Sequence, residues 1–307
     1  TDGQVWNLSV LDSRLLIGHH EGGFMLQGNS AIPFNKKPGN WNFVPLSNQT
    51  NKPLVAIGNY QGISIFEKIN TQLIPFSSVP SFEESSRYLV ADSFGNLWVS
   101  HPYHGIFRIS LTDSIYNIKR YANENGVPAL LNNQVYLLNQ EIVLATENGI
   151  YKYARNTDMF IPHPQFEKTI GRKGTRYINE DSNGNYWFVQ DKTVGVINAP
   201  DNTITYLPEL ANKILSGFEF ILPLDEQNIF ISGEKGIFHV NYLKYKENIR
   251  PLKVEIRRLT VTNKNDSLIY GGFGKIGKPD SYSYKPSFGS NWKAIRINYS
   301  SILFGQP

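Results

Sequence analysis

The sequence predicts an all-β fold, a β-propeller followed by part of an immunoglobulin-like β-sandwich, and three observations carry that prediction. Six glycines (Gly23, Gly62, Gly105, Gly149, Gly195 and Gly236) each precede an apolar residue, at spacings of 39, 43, 44, 46 and 41 residues. That is the period of a four-stranded blade, which buries its faces only against its neighbours. Aromatic residues make up 13% of the 307 residues, with 17 Tyr and 18 Phe, a composition suited to stacked, twisted sheets. No long helical period occurs, so helix above roughly a tenth of the chain is not expected.

Each repeat follows one grammar. First strands are expected near Val5 to Leu11, Trp41 to Leu46, Arg87 to Ala91, Gln134 to Leu138, Arg176 to Glu180 and Phe218 to Leu224. A turn such as Ala91 to Asn96 or Glu180 to Asn185 follows, in which Asp and Gly supply side-chain hydrogen bonds and positive φ. Second strands are the apolar runs beginning at Leu15, Leu54, Leu97, Ile142, Tyr186 and Ile229, each separated from its glycine by a short turn. A third strand follows the glycine. The fourth is marked by proline at Pro33, Pro75, Pro162 and Pro208, and the last three fall 13 residues past the glycine. Proline lacks the donor a central strand needs, so the fourth strand is the outer edge of each blade. Six blades are legible, in a ring of six or seven.

The repeats stop near Tyr242. A polar stretch, Lys244 to Pro251, stands where the sixth blade should show its outer strand. Beyond it lie an alternating run, Lys253 to Val261, a glycine-rich loop at Gly271 to Gly277, and a further run, Trp292 to Tyr299. These read as the opening strands of a small sandwich, giving a propeller over residues 1–245 and a linker with a partial sandwich over 246–307.

The formal charge is +4, with 30 Lys and Arg spread among 26 acids rather than gathered in a stripe. Direct contact with nucleic acid is therefore not expected. The absence of cysteine removes disulfides, thiol chemistry and thiolate zinc sites. Neither an apolar run of 18 residues nor a basic leader occurs, so no membrane span or secretion signal is expected within this stretch.

Two repeats carry a fuller motif, Asp92-Ser93-Phe94-Gly95-Asn96-Leu97-Trp98-Val99 and Asp181-Ser182-Asn183-Gly184-Asn185-Tyr186-Trp187-Phe188. These resemble the two-component regulator propeller repeat, and the tail from Pro251 to Gln306 resembles the first part of the triple-tyrosine domain that follows such propellers in Bacteroidetes regulators. The resemblance implies the periplasmic sensor region of a transmembrane regulator or hybrid two-component system. Such a region detects a glycan-derived ligand, controls transcription of polysaccharide-utilisation genes and acts as a homodimer, with room for a histidine kinase elsewhere in the full-length protein. It implies no cofactor and no catalysis by this stretch.

The turns between second and third strands fall on one face and form a ring of side chains around one mouth. They hold His19, His20 and Glu21; Asn59, Tyr60 and Gln61; His101, Pro102, Tyr103 and His104; Glu147 and Asn148; Gln190, Asp191 and Lys192; and Glu234 and Lys235. Exposed turns are polar in any propeller, yet the His, Tyr and Asn of the first three also suit the stacking and hydrogen bonding of a sugar. Trp41, after the basic loop Lys36 to Asn40, is either core packing or a stacking platform at that mouth. Arg172 and Arg176, in the loop Gly171 to Arg176, are either solvated or receptors for a uronate or sulfate.

The four turn histidines raise the question of a metal, but adjacent His19 and His20 would point apart on a strand, and no HExxH or clustered Asp motif supports a metal site. The alternative to a sensor is a propeller glycoside hydrolase or lyase, which would need paired carboxylates. Asp92 and Asp181 do not match the sialidase Asp-box, because Gly and Trp follow at offsets of three and six rather than two and five. They read as turn formers, with their tryptophans packing between blades.

Overall fold

In the computed structural model, residues 3–46, 52–112, 115–249, 254–271 and 289–301 are described. The chain divides into two units, Thr1–Tyr242 and Leu243–Pro307. The first is a β-propeller. Five sheets are four-stranded antiparallel meanders in chain order. Blade 1 holds Val5–Leu11, Arg14–His19, Gly22–Gln27 and Ser30–Asn35. Blade 2 holds Asn42–Leu46, Leu54–Gly58, Ile63–Ile69 and Gln72–Ser78. Blade 3 holds Tyr88–Ala91, Leu97–His101, Gly105–Thr112 and Ile115–Tyr121. Blade 4 holds Gln134–Leu138, Glu141–Thr146, Gly149–Ala154 and Met159–Pro162. Blade 5 holds Thr175–Glu180, Tyr186–Gln190, Thr193–Asn198 and Thr203–Leu207.

The second strands are continuous apolar runs because both of their faces are buried. In blade 4, Ile142 and Leu144 pack toward Trp98, Tyr121 and Phe160, while Val143 and Ala145 pack toward Ile178 and Phe188 of blade 5. In blade 2, Val55 and Ile57 join Leu16 and Met25 of blade 1, while Leu54 and Ala56 join Leu89 and Val99 of blade 3. The period-two alternation of a strand thus distributes one run between two inter-blade cores.

Pro33, Pro75 and Pro162 take the expected edge place, whereas Pro208 lies just past the fourth strand of blade 5 and opens a short 3-10 turn, Pro208–Leu210. Pro33 and Pro75 lie in the fourth strands opposite Phe24 and Phe66, each beside a register shift in the ladder. The turn formers also hold. Asp92 Oδ1 accepts the backbone N–H of Phe94 and Asn96 at 2.9 Å, and Oδ2 accepts the Trp98 indole at 2.9 Å. Asp181 repeats the arrangement with Asn183, Asn185 and Trp187.

Among the described residues blade 6 lacks the outer strand that its sequence also fails to show, and its first strand departs from expectation. It is three-stranded, Ile221–Pro223, Ile229–Gly233 and Gly236–Val240, and its first strand is shorter than the expected Phe218 to Leu224. The Ser232 hydroxyl accounts for the short first strand: it accepts from the Phe220 N–H at 2.9 Å and donates to the Phe218 carbonyl at 3.0 Å, occupying groups a longer ladder would use. Residues 244–248 of the polar stretch after Tyr242 form part of a helix, Tyr242–Asn248, the boundary read from sequence after residue 245 falls inside it, and positions 250 and 251 lie outside the described residues. A second seven-residue helix, Pro164–Ile170, follows blade 4 with proline at its start and buries Phe166 and Ile170 one turn apart. It is too short to write a helical period into the sequence.

Unit 2 contains a three-stranded sheet with Val254–Thr262 between Asp266–Gly271 and Ala294–Ser301. The expected glycine-rich loop at 271–277 lies, beyond Gly271, outside the described residues. None of the helices among the described residues is long and apolar enough to cross a membrane.

Candidate functional site

The first strands of blades 1 to 5 neighbour one another in sequence around the centre of the propeller. Each blade sends an aromatic ring there from its first strand or the residues just before it: Trp6, Trp41, Tyr88, Tyr136, Tyr177 and Phe218 with Phe220. Two of the tyrosines lock to neighbouring groups. The Tyr136 hydroxyl donates to Gln134 Oε1 at 2.8 Å and lies 3.1 Å from the Arg176 carbonyl, and the Tyr177 hydroxyl donates to the Ile221 carbonyl at 3.0 Å. Burial pushes the Tyr177 phenol up to about 12, so it remains a donor.

At the mouth the rings gather. Trp6 and Trp41 lie with centroids 4.6 Å apart, Trp41 and Tyr60 at 5.3 Å, and Trp6 stacks on Phe218 of blade 6 at 6.4 Å. The Trp6 indole donates to the Tyr60 hydroxyl at 3.1 Å, and His20 Nδ1 lies 2.8 Å from the same oxygen. This geometry fits a hydroxyl that accepts from the indole and donates to the imidazole. Arg87, in the lead-in to blade 3, places its guanidinium carbon 5.2 Å from the Trp41 ring centre, 5.2 Å from Tyr88 and 4.8 Å from Phe218, and donates to the Gly217 carbonyl. The Trp41 indole nitrogen is buried without a hydrogen-bond partner among the described residues, a donor whose desolvation costs about 1–3 kcal/mol.

The local sequence builds this platform from below. Asn40 and Asn59 are fully buried, and the Asn40 amide donates to Asn59 Oδ1 at 3.1 Å while its Oδ1 accepts from Asn35 at 3.0 Å. The ladder ties the loop before Trp41 to the turn carrying Tyr60. Gly39, at φ 76°, lies under the Tyr60 ring, where a Cβ would sit 2.2 Å from the ring carbons. Only glycine lets the two approach this closely.

The other expected site residues fall into separate places. His19 is buried, its Nδ1 accepting the Glu21 N–H at 3.1 Å, so it points away from His20. On blade 3, His101 and His104 stack at 4.2 Å, and Glu84 Oε2 lies 2.7 Å from His104 Nδ1 and 3.6 Å from His101 Nε2. Among the described residues this is the group close enough for a shared metal, with ligand atoms within 4.8 Å. The histidine tautomer opposes that use. His101 Nδ1 accepts the N–H groups of Tyr103 and His104 at 3.1 and 3.2 Å, so the neutral ring keeps its proton on the nitrogen facing Glu84. Burial, then the like charge of His104, lowers the His101 pKa against the opposing pull of Glu84. Tyr103 is largely exposed, its ring 6.1 Å from His101. Arg172 pairs with Glu167 at 2.6 Å and Arg176 with Glu147 at 3.7 Å, so both cations already face carboxylates.

Of the expected residues, His20, Trp41 and Tyr60 therefore converge, and Trp6, Arg87 and Phe218 complete their cluster. The available signal for these three was positional: each lies in, or just before, a first strand, where the chain reaches the propeller centre.

No protein-family model and no curated protein matches the chain. Among solved structures it superposes on the extracellular domain of BT3049 from B. thetaiotaomicron, assigned to a hybrid two component system, with a TM-score of 0.60 at 15% identity, covering 84% of this chain and 37% of that one. The extracellular domain of BT4673 from the same organism, assigned to a one component system, gives 0.58 at 16% identity over 87% and 43%. The chain thus spans about two fifths of the length of these structures. At such identity the likeness is one of fold, which this chain shares with the extracellular domains of bacterial signalling proteins.

Proposed function

We infer that this chain is the ligand-binding part of an extracytoplasmic sensor and that it holds a short oligosaccharide across the propeller mouth without cleaving it. The observation that carries the reading is the convergence of Trp6, Trp41 and Tyr60 with His20 and Arg87. Flat aromatic faces flanked by hydrogen-bonding groups suit the apolar faces and peripheral hydroxyls of sugar rings. Among the described residues the side chains that meet there are aromatic, imidazole and guanidinium, and the neighbouring Glu219 is a single carboxylate held by the Gly217 N–H, not the pair a glycosidase uses.

The fold shared with signalling ectodomains supports placing the chain outside the cytoplasm as part of a transmembrane regulator. The resemblance of its repeats extends the reading to a periplasmic, homodimeric receptor that controls polysaccharide-utilisation genes. The mouth also suits signal transfer, because Trp6, Trp41, Arg87 and Phe218 come from four different blades. A ligand resting on them would bias how those blades pack.

Titration with a panel of plant and host oligosaccharides tests the proposal, followed by tryptophan fluorescence, calorimetric heat and product analysis. A saturable fluorescence change with no new product is expected. Trp41→Ala and Tyr60→Ala should each weaken binding about tenfold, the equivalent of about 1.4 kcal/mol for a lost stacking face. Failure of every oligosaccharide to bind, or the appearance of cleaved glycan, would overturn the reading.

A further inference from the structure

We propose that the mouth selects acidic oligosaccharides and that Arg87 is the residue that receives their carboxylate or sulfate; the proposal rests on the sugar-binding reading above. Arg87 is half-buried, and among the described residues its guanidinium meets three aromatic rings and one backbone carbonyl and makes no ion pair with a carboxylate. Other arginines of the propeller are differently committed: Arg108 to Asp158, Arg172 to Glu167 and Arg176 to Glu147. A guanidinium presents five donors, and Arg87 uses one of its terminal nitrogens on Gly217. The nearby carboxylate of Glu219 accepts from the Gly217 N–H at 3.0 Å rather than pairing with Arg87, so the half-buried guanidinium keeps donors for a second anion. The three rings fix the plane of the fork, which then suits bidentate capture of a carboxylate or sulfate.

Two further features place the anion at this site rather than elsewhere on the rim. Trp41 lies under the guanidinium and also contacts Trp6 and Tyr60, so a sugar stacked on that cluster would bring an acidic substituent to Arg87. The loop leading to Trp41 carries Lys36 and Lys37, both exposed, which add positive potential on the approach. Arg172 and Arg176, the cations that the sequence offers for this task, carry their own acids as neighbours.

The test compares uronate-bearing oligosaccharides such as trigalacturonate with their methyl esters, and sulfated disaccharides with their desulfated forms. Each pair differs in charge at nearly constant shape. The wild-type chain should bind at least one acidic member tenfold or more tightly than its neutral counterpart, and that preference should shrink between roughly 20 and 500 mM salt. Which pair shows the preference distinguishes carboxylate from sulfate. In Arg87→Gln the acid-to-neutral ratio should fall to near one. Arg87→Lys, which keeps the charge and loses the fork, should retain part of the preference. The salt series on the unmodified chain keeps the proposal testable if a variant folds poorly. Binding of sugars with no acidic preference in any pair would overturn this proposal and leave the sensor reading standing, whereas no binding by either member of any pair would remove both.

Discussion

Asp158, in the turn between the third and fourth strands of blade 4, is a point of attachment for two blades. It accepts from Arg108 at 3.0 Å, Tyr121 at 2.6 Å and Tyr153 at 2.5 Å, and it pairs with Lys119. Burial alone would raise its pKa. The hydrogen bonds from Lys119, Tyr121 and Tyr153 and the charge of Arg108 outweigh burial and hold the carboxyl well below the usual carboxylate range. A depressed pKa contributes stability that is fully present above the unfolded value near 3.9 and is lost as pH falls toward the folded value. Asp158→Asn should therefore cost about 1–2 kcal/mol at pH 7, discounted because the side chain is 37% exposed. In urea unfolding the gap to wild type should narrow below about pH 4; a gap that stayed constant from pH 7 to pH 3 would show that the charge is not what matters. Nothing in the sequence around Asp158 marks it, since its partners lie 5 to 50 positions away. His20 and Tyr60 were legible because a turn displays its own contents. Arg87 was not, because its meaning depends on rings from blades 2 and 6.

The elements that the sequence announces most clearly are those in which one residue organises its own neighbourhood. The Asp92 turn is such a case, because a single buried carboxylate takes two backbone N–H groups, the Asn96 amide and the Trp98 indole. Asp92→Ala should cost about 2–3 kcal/mol, mostly from orphaned donors rather than lost attraction. In a Trp98→Phe background the same change should cost about 1 kcal/mol less, since the indole donor is already gone; thermal or urea unfolding of the four-member cycle reads this coupling. Equal costs in both backgrounds would mean that the Asp92 bond to Trp98 is energetically idle. Blade 6 keeps the same device in reduced form, with Asp225 binding the backbone of Gln227 and Asn228 and no tryptophan. That turn lacks the fuller motif although it does the same work. The helix Pro164–Ile170 and the short first strand of blade 6 escaped for a related reason: at seven and three residues, each is too brief to leave a period.

Across the whole propeller, burial is uneven in a way that follows from how blades stabilise one another. Trp98 and Val99 of blade 3 and Val143 and Leu144 of blade 4 are fully buried, each on a strand with a blade on either side. At the two ends of the series the pattern reverses: Leu8 and Val10 of blade 1 are 62% and 72% exposed, and Leu222 and Ile237 of blade 6 are 41% and 76% exposed. These strands carry apolar residues as the other blades do, so their sequence does not announce the exposure. What differs is the neighbour. Side chains exposed to this degree forgo roughly 1 kcal/mol each relative to full burial, and stability in a repeat architecture is close to a sum of intrinsic and nearest-neighbour terms. Hydrogen exchange under native conditions should therefore be slowest in the second strands of blades 3 and 4. It should be faster in Arg14–His19 of blade 1 and Ile229–Gly233 of blade 6, by a hundredfold or more if about 3 kcal/mol of interface is lacking at each. Protection in blades 1 and 6 equal to that of blades 3 and 4 would show that their exposed faces are covered in solution. The sum of neighbour contacts within the chain would then not be what sets its stability.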